Sequence, residues 1–488
     1  MSTTELILLA LGLPLLGTVT NLLMARCPNP RDIATFAVAV ALFCTVLLIT
    51  VGFANGQTYS LDVFTFAPGL SIAFQIEPLG LVFALVASGL WTVTHLYGVG
   101  YMRGNGEKNH ARFFASFSFS LFATMGIAFA GNLLTLFLFY ELLTVGTYPL
   151  VAHKQNADAK AGARTYLGIL MGTSIVFLLT AIVWTWTITG TLDFRPGGIL
   201  AGEANSTMLV VLLALFAFGI GKAALMPFHR WLPAAMVAPT PVSALLHAVA
   251  VVKAGVFSML KVGTYTFGID TLSRTGTSEW LMWVAAFSLL AASIVAIRQD
   301  NLKRRLAYST VSQLSYITLG MALATSLGTL GGALHIVTHA FGKITLFMCA
   351  GAIYVATHRT EIPQLRGLGF AMPFTFAAFA VGAASIIGLP PFAGAWSKWQ
   401  LMLGAADAGQ TVMIGVLIVS SLLNVLYLLP IFVRGFYGAT EGPRPAFAEA
   451  PFLCVLPPCL TALGCFVLFF YADGIMEFVR PIVLGGSP

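Results

Sequence analysis

Residues 331–356 read GGALHIVTHAFGKITLFMCAGAIYVA, an apolar stretch long enough to cross a bilayer core of about 30 Å as a single helix. Three titratable side chains interrupt this stretch at intervals of four residues, namely His335, His339 and Lys343. At about 100° per residue, the three side chains fall within about 80° on one face of a helix. A charge at the bilayer centre costs at least about 2.5 to 3.5 kcal/mol. The stretch therefore predicts a membrane-spanning helix whose titratable stripe faces other protein or water.

The rest of the chain has the same apolar character. Of its 488 residues, 58% are hydrophobic and only 9% are charged, whereas roughly a quarter of the residues of soluble domains are charged. This composition predicts an all-α polytopic membrane protein. We expect about 14 transmembrane helices, at residues 5–24, 33–54, 72–99, 111–130, 132–152, 164–189, 207–226, 241–262, 278–297, 304–324, 331–356, 372–402, 411–436 and 452–478.

The basic residues of the loops predict the orientation of the chain. Seventeen Lys and Arg residues fall in one set of loops, whereas only Arg195, Lys261, Arg274 and Arg480 fall in the other. Short cytoplasmic loops of membrane proteins carry an excess of basic residues. We therefore expect a multi-pass protein of a bacterial-type plasma (inner) membrane with both termini on the non-cytoplasmic side. The net charge of +7 reflects this topology and gives no reason to expect nucleic-acid binding.

The sequence contains no motif for a metal or a cofactor. The six cysteines lack the spacing of a metal site, and no glycine-rich phosphate loop, dinucleotide fingerprint or haem motif is present. We therefore expect this chain to hold no cofactor and no metal, and to have no redox active site of its own. Whether it is the pumping subunit of a larger enzyme is left open by the sequence.

Two of the expected helices are interrupted by proline. KAALMPFHRW at 222–231 and LPPFAGAWSK at 389–398 each bring a Pro-Phe pair, a tryptophan and a lysine close together. Broken backbone at membrane depth is tolerated only where protein or a water-lined cavity satisfies it. We expect a single integral membrane domain over residues 1–488, with broken helices near Pro227 and Pro390. Interrupted helices in two halves of a chain point to an inverted-repeat transporter and its ion path.

Further ionisable residues lie within apolar stretches. Glu141 would be protonated there unless it has a basic partner or water, and Lys222 in a broken helix is the natural partner. A static ion pair that only fixes helix packing is the alternative. His247 and Lys253 are six residues apart, which is about 120° around an ideal helix. Either a local bulge occurs or the two face different neighbours, and His247 is a candidate for a proton site or for a helix-packing histidine.

These groups together predict a proton relay. Its expected members are Glu141, Lys222, Lys253, His335, His339, Lys343 and Lys398. Ionisable residues inside membrane helices mark ion pathways, and histidine changes its charge near neutral pH. A stack of three titratable groups on one helix face therefore favours a relay over simple packing. Glu77, just before Pro78, starts its span, and an interfacial position is one interpretation of it.

Four passages of the chain resemble a known family, the antiporter-like proton-translocating subunits of respiratory complex I, group 4 hydrogenases and Mrp-type cation/proton antiporters. The passages are YELLT at 140–144, MPFHRWLPAAMVAPTPVSALLH at 226–247, LKRRLAYSTVSQ at 302–313 and HIVTHAFGKITLF at 335–347. Within the family the chain most resembles the D-type subunit of Mrp antiporters, and the resemblance covers at least residues 72–436.

The resemblance implies a fold and roles for the buried residues. The family fold has fourteen helices with two inverted five-helix repeats, which would place half-channels at 111–262 and 278–436. The implied roles are an ion pair of Glu141 with Lys222, a bridging lysine at Lys253, a linking relay at His335, His339 and Lys343, and a terminal site at Lys398.

Two kinds of function fit these observations. The first is a proton-translocating membrane subunit of a multisubunit complex, either a Mrp-type antiporter or a redox complex such as an NADH-quinone oxidoreductase or a membrane-bound hydrogenase. Its partners would be other membrane subunits, protons, the lipid bilayer and Na+ passing through the complex. The second is a non-conducting scaffold or quinone-binding subunit, which would have no need for lysines at four depths. The sequence does not distinguish a Na+ gradient, a redox reaction or a carbon-uptake partner as the driving force.

Overall fold

The structure, a computed structural model, describes residues 2–437 and 446–483, apart from the side chains of residues 246–248. Most of the chain is helical. Within the described residues, ten helices are long and apolar enough to cross a membrane, and shorter apolar helices occur at Ser206–Gly219 and Pro373–Ile387. These observations confirm a helical polytopic membrane protein, whereas the predicted number of fourteen transmembrane helices is not confirmed.

The described ranges contain 21 α-helices and two β-strands. The helices are α1 (Thr3–Leu23), α2 (Pro28–Ala54), α3 (Pro78–Gly104), α4 (His110–Ala128), α5 (Leu133–Val151), α6 (Ala157–Thr173), α7 (Leu179–Thr189), α8 (Ser206–Gly219), α9 (Trp231–Ala234), α10 (Thr240–Ala248), α11 (Val251–Lys261), α12 (Ile269–Thr275), α13 (Glu279–Ile297), α14 (Leu302–Ala322), α15 (Ser326–Thr357), α16 (Leu368–Ala371), α17 (Pro373–Ile387), α18 (Gly394–Asp407), α19 (Thr411–Tyr437), α20 (Phe452–Phe470) and α21 (Ala472–Val479). The strands are β1 (Ser60–Ala67) and β2 (Leu70–Gln75). Short π-helical and 3₁₀ segments connect several helices, at Ser174–Leu178, Gly221–Ala223, Ala235–Val237, Val262–Phe267, Ile362–Leu365 and Arg480–Val483.

Polar side chains fix where several of the long helices begin. Asn132, Asn156 and Asn205 accept hydrogen bonds from backbone amides in the first turns of α5, α6 and α8. Asn301 and Thr325 do the same for α14 and α15. Such caps satisfy amides that a helix start leaves free, and each contributes about 1 kcal/mol. The caps therefore position the helices along the bundle axis.

The helix ends define two faces of the bundle. The hairpin face consists of β1, β2 and the segments 129–132, 190–205, 262–278 and 323–325. The basic face consists of the segments 24–27, 104–109, 152–156, 298–301 and 358–367. Isolated bridges join neighbouring segments on each face, Phe74 to Ala130 on the hairpin face and Asn301 to Glu361 on the basic face. The start of α1 and the 3₁₀ segment at Arg480–Val483 both lie on the hairpin face.

The β-hairpin corrects the predicted start of the third span. The sequence predicts this span at 72–99, but Leu70–Gln75 forms β2, which pairs antiparallel with β1, and α3 begins only at Pro78. Proline is favoured in the first turn of a helix because its missing amide is not needed there. The six apolar-rich residues of β2 run directly into the apolar helix, so periodicity alone does not separate the two elements.

Helix α15, which carries the His335–Lys343 stripe, lies at the centre of the bundle. Of its most apolar segment 94% is buried, against 33% for the outer helices α1, α2 and α19. With 32 residues it is long enough to cross the membrane completely, since a rise of about 1.5 Å per residue gives about 48 Å. It packs against α10, α14, α17, α18 and α20. Its titratable stripe therefore faces other helices, as the sequence predicts.

Both predicted proline breaks are present. After α8 ends at Gly219, the chain forms a 3₁₀ turn at Gly221–Ala223 and turns again before α9. Likewise, α17 ends at Ile387 and α18 begins at Gly394, with the proline pair between them. A helix that ends inside the bundle leaves backbone carbonyl groups without intrahelical partners. The breaks thus create polar backbone groups at the depth of the buried lysines.

The predicted eighth span, residues 241–262, also contains a helix break. Helix α10 ends at Ala248 and α11 begins at Val251. His247 and Lys253 therefore lie on two separate helical segments, so the 120° of an ideal helix does not apply to them. The side chain of His247 lies outside the described residues, and its candidacy as a proton site stays a prediction.

Gly255 of α11 packs closely against the turn that contains Lys222 and Ala223. A Cβ atom on Gly255 would lie 2.3 Å from the backbone nitrogen of Ala223 and 2.3 Å from the carbonyl carbon of Lys222. The substitution Gly255→Ala must therefore push the Lys222 turn away from α11. Overpacking costs roughly 1 to 3 kcal/mol, so we expect a lower thermal unfolding midpoint for the purified protein.

Gly168 in α6 provides the matched control, because a Cβ atom there would meet no atom within 4 Å. The substitution Gly168→Ala should leave the unfolding midpoint unchanged or raise it slightly, since alanine favours helix more than glycine does. Equal midpoints for Gly255→Ala and the unsubstituted protein would contradict the close approach of α11 to the Lys222 turn.

Candidate functional site

Lys222 is fully buried in the 3₁₀ turn of the first break. Its Nζ donates to the carbonyl oxygen of Tyr140 at 2.7 Å and to Oγ1 of Thr144 at 2.6 Å. The same nitrogen lies 3.2 Å from the centre of the Tyr140 ring. The indole of Trp231 donates to the carbonyl oxygen of Gly221 at 2.9 Å and so holds the turn in place. The break in the helix therefore places the Lys222 ammonium group against Tyr140 and Thr144 in one turn of α5.

Glu141 does not form the expected ion pair with Lys222. Both of its carboxylate oxygens are buried and accept no hydrogen bond within the part of the chain that the structure describes. The physical reason is that α5 offers Lys222 two other oxygen acceptors, on Tyr140 and Thr144. Glu141 directly follows Tyr140, whose carbonyl oxygen accepts from Lys222. The two groups therefore lie on adjoining elements, and their ion pair is open.

Lys253 forms a side-chain contact between α11 and the central helix α15. It is fully buried in α11, and its Nζ lies 2.5 Å from Nδ1 of His339 on α15. One of these two nitrogens donates and the other accepts, so a single proton is shared across the contact. Nε2 of His339 has no partner among the described residues. The contact joins the first predicted half-channel to the titratable stripe of α15.

His335 extends the path from His339 along α15. The two imidazole rings stack with centres 5.7 Å apart and planes inclined by 9°. Nδ1 of His335 lies 2.9 Å from Oγ of Ser397, which precedes Lys398 in α18. The ring of Tyr316 also stacks on His335, with centres 5.3 Å apart. The two histidines therefore lead from Lys253 to the helix that carries the predicted terminal lysine.

Lys343 lies on the same stripe but bonds in a different direction. Its Nζ donates to Oγ of Ser309 at 2.5 Å and to the carbonyl oxygen of Leu306 at 3.2 Å, both in α14. Its hydrogen bonds therefore connect it to α14 and not to the histidines. The three side chains lie on one face of one helix, as the sequence predicts. The two histidines contact Lys253 and Ser397, whereas Lys343 contacts α14.

Lys398 lies in α18 just beyond the second break. Its Nζ donates to the carbonyl oxygen of Ile387 at 2.9 Å and to Oγ of Ser421 at 3.1 Å. Ile387 is the last residue of α17, so its carbonyl oxygen is free to accept because the regular helix does not continue. The second break therefore supplies a backbone acceptor for its lysine.

A hydrogen-bonded chain that the sequence does not predict links Lys343 to Lys398. Ser309 donates to Oη of Tyr427 at 2.8 Å. The side-chain amide of Asn424 makes the larger number of hydrogen bonds in one of its two orientations. In that orientation its nitrogen lies 2.6 Å from Oη of Tyr427 and its oxygen lies 2.8 Å from Nζ of Lys398. The chain therefore runs from Lys343 through Ser309, Tyr427 and Asn424 to Lys398. Neutral polar residues in apolar helices are its only signal in the sequence.

Lys261 corrects the predicted assignment of basic residues to loops. Its side chain is 1% exposed, and its Nζ lies 2.9 Å from Oε1 of Glu77, whose side chain is 13% exposed. Lys261 is buried because α11 continues as a π-helical segment to Phe267, so the lysine is still inside the helix and not in the loop beyond it. Glu77, whose role the sequence left open, thus belongs to a buried ion pair.

The four relay lysines form no ion pair within the described ranges. Their partners are carbonyl oxygens, hydroxyl groups, an imidazole and an amide. Burying an ammonium ion without a counter-charge is costly, and neutral acceptors offset only part of that cost. No cluster of His, Cys, Asp and Glu able to hold a metal ion occurs in the part described.

The relay residues lie within a sequence region with known relatives. The family described as NADH:quinone oxidoreductase/Mrp antiporter, TM, matches residues 130–424, which is more than half of the chain and includes every relay residue. The chain belongs to this family. A second family, described as NADH-Ubiquinone oxidoreductase (complex I), chain 5 N-terminus, matches residues 66–114 of this antiporter-family protein.

Individual relatives agree with this assignment. The chain is 31% identical to NADH-quinone oxidoreductase subunit N of Desulforudis audaxviator, with 98% of each chain covered. It is 32% identical to a Na(+)/H(+) antiporter subunit of Alkalihalophilus pseudofirmus, over 83% of this chain and 53% of the relative. A chain of the solved Mrp complex from Dietzia sp. shares the fold, with a TM-score of 0.86, 23% identity and coverage of 98% and 97%. The resemblance seen in the sequence is confirmed.

The Lys343–Lys398 chain of this family member depends on one hydroxyl group. The substitution Tyr427→Phe removes Oη, which bonds Ser309 and Asn424, and keeps the ring that fills the space. We expect proton movement in membrane vesicles to fall by up to about tenfold, because a buried hydrogen bond contributes about 0.5 to 1.5 kcal/mol and about 1.4 kcal/mol corresponds to tenfold in rate.

Tyr437 provides the control on the same helix, since its side chain is 79% exposed. The substitution Tyr437→Phe should leave proton movement unchanged. Proton movement in Tyr427→Phe equal to that in Tyr437→Phe would show that the chain through Tyr427 carries no protons.

Proposed function

We propose that this protein translocates protons across a membrane through its buried Glu, Lys and His residues, as one subunit of a multisubunit complex. The observation that carries the proposal is the contact of Lys253 with His339. It places a shared proton between the helix that follows the first break and the central helix, at membrane depth. A protein that only packs helices has no need for that arrangement.

The proposal implies an ordered route, and hydrogen bonds support parts of it. In the first half-channel, which we assign to residues 111–262, a proton would reach Lys222 beside Glu141. From Lys253 it would pass to His339 in the second half-channel, residues 278–436. The route then reaches Lys398 by one of two branches. One branch passes through His335 and Ser397 of α18. The other requires a transfer from His339 to Lys343, one turn along α15, and then follows the hydrogen bonds through Ser309 to Tyr427 of α19.

The open Glu141–Lys222 pair supplies the switch in this proposal. When the carboxylate approaches the ammonium group, it stabilises the charged lysine and the proton stays on Lys222. When the pair is open, as in this structure, that stabilisation is weaker and the proton can move on. Moving one charge against 100 mV requires about 2.3 kcal/mol. Opening a close ion pair of low solvent exposure changes the interaction energy by about the same amount.

The surroundings of the chain follow from its relatives and its charges. Relatives are named as subunits of NADH-quinone oxidoreductases and antiporters, and we infer that other membrane subunits are the partners of this chain. We place the basic face in the cytoplasm of a bacterial-type cell, because cytoplasmic loops are rich in Lys and Arg. The hairpin face, with both ends of the described chain, then lies on the non-cytoplasmic side of the plasma membrane.

Two driving forces fit the proposal. A match along the full length to subunit N of an NADH-quinone oxidoreductase favours a redox-driven complex. The match to a Na(+)/H(+) antiporter subunit favours exchange of protons for a monovalent cation. The assignment to a D-type subunit of a Mrp antiporter, which the sequence suggests, stays a prediction. In either case the route for protons through this chain is the same.

Lys222 provides the test of conduction. The substitution Lys222→Ala removes the ammonium group and its bonds to α5, so we expect proton movement in inverted membrane vesicles to fall to the background rate. The exposed Lys160 is the control, and Lys160→Ala should transport normally. Unchanged transport in Lys222→Ala, with the complex assembled, would reject conduction and favour a scaffold or quinone-binding subunit.

The same vesicles distinguish the driving forces. Unsubstituted vesicles receive either Na+ or NADH, formate or another reduced donor, and proton movement is recorded with a pH-sensitive dye. A response to Na+ without a response to any donor indicates cation exchange, whereas the reverse indicates a redox-driven complex. Only a response that disappears in Lys222→Ala counts as transport through this chain.

A further inference from the structure

The Glu77–Lys261 ion pair lies outside the relay and borders a cavity on the hairpin face. The cavity has a volume of about 560 Å³ and lies between the β-hairpin, the start of α3 and the end of α11. Four titratable side chains line it, Tyr59, Glu77, Lys261 and Tyr265. A cavity of this size with several polar groups can hold many water molecules, because one water occupies about 30 Å³.

The two partners of the pair are held differently. Lys261 is fixed, since its Nζ also donates to the carbonyl oxygen of Ala130 at 2.7 Å and lies 4.5 Å from the centre of the Phe194 ring. Glu77 forms the ion pair with Lys261, and the hydroxyl group of Tyr265 also lies close to its carboxylate. The ammonium group is thus anchored to the backbone, whereas the carboxylate contacts only side chains.

The pair lies on the same helix as the bridging lysine. Lys261 follows Lys253 by eight residues, which is about 12 Å along α11 and about 80° around it. Phe257 lies between them, with its ring centre 5.5 Å from Lys261 Nζ and 4.9 Å from the ring centre of Phe83. The Phe257 ring therefore lies along α11 between the two lysines and packs against Phe83.

We propose that Glu77 is the proton-release group of this chain, that Lys261 positions it, and that Phe257 is the barrier between it and Lys253. The proposal rests on the proposed function. It adds an outlet on the hairpin face in the first half of the chain, in addition to the terminal site at Lys398.

The release step balances in protons and charge. A proton leaves the Lys253 ammonium group, which becomes a neutral amine, and crosses the barrier by way of water to the Glu77 carboxylate, which becomes a neutral acid. Lys261 keeps its own proton and is left without a counter-charge. An isolated buried ammonium group is unfavourable, so the nearby positive charge favours loss of the new proton to water in the cavity. Re-formation of the ion pair completes the step.

A purely structural ion pair is the competing explanation. Pairs of this kind contribute little net stability, because the cost of removing the charges from water offsets their attraction. A structural role also predicts nothing about the barrier at Phe257. Substitutions at the two positions therefore separate the explanations.

The first test uses Glu77→Gln in proteoliposomes that contain the purified complex. Glutamine keeps the shape and a polar contact to Lys261 but cannot carry the proton, so we expect translocation through this outlet to stop and total translocation to fall about twofold, because the terminal site at Lys398 still operates. Glu77→Asp should retain translocation, with a changed dependence on the pH at the hairpin face. The exposed Glu203 on the same face is the control, and Glu203→Gln should behave normally.

The second test does not depend on the stability of the ion pair. Phe257→Ala opens the barrier, so an imposed pH gradient should decay several times faster in these proteoliposomes, whereas the exposed Phe64→Ala should not change the decay. Normal translocation in Glu77→Gln, or a normal gradient in Phe257→Ala, overturns the release site. If Lys222→Ala also transports normally, the proposed function has failed; if only Lys222→Ala is inactive, the release site alone is wrong.

Discussion

The free-energy cost of holding ammonium groups inside a membrane-spanning bundle governs the interior of this protein. A lysine at membrane depth must find acceptors, because an unpaired charge there is strongly unfavourable. Regular helices use their own carbonyl groups, so acceptors become available where a helix ends or where a hydroxyl side chain occurs. Lys398 uses the last carbonyl of α17, and Lys222 lies in a turn between helices and uses Tyr140 and Thr144. The helix breaks are thus part of the site.

The neutral partners of the buried lysines bear on the proposed proton transport. The relay lysines donate to neutral acceptors and form no ion pair within the described residues. Lys253 shares its contact with the imidazole of His339, and the imidazole of His335 stacks on that ring. In the proposed mechanism, a small change in the position of one carboxylate, Glu141, alters which lysine is charged. The energy involved is similar to the work of moving a charge across an energised membrane.

The sequence predicts the helical membrane fold, the two proline breaks and the stripe of α15, because apolar length, proline and a four-residue period each have a direct structural meaning. It does not predict the partners of the lysines. Whether Glu141 reaches Lys222 depends on distances between α5 and the broken helix, which no local pattern contains. Tyr427 and Lys261 were missed for related reasons: the first is a neutral residue in an apolar helix, and the second lies where a π-helical segment extends α11 beyond its expected end.

The bridging contact is the most direct place to test the account, because every route from Lys222 to Lys398 uses it. The measurement is proton translocation by proteoliposomes containing the complex with Lys253→Met, which keeps the length of the side chain but removes the ammonium group. The account predicts loss of translocation while the complex still assembles and Lys222 keeps its bonds to α5. Translocation at the rate of the unsubstituted complex would contradict the account, because protons would then cross without the bridge.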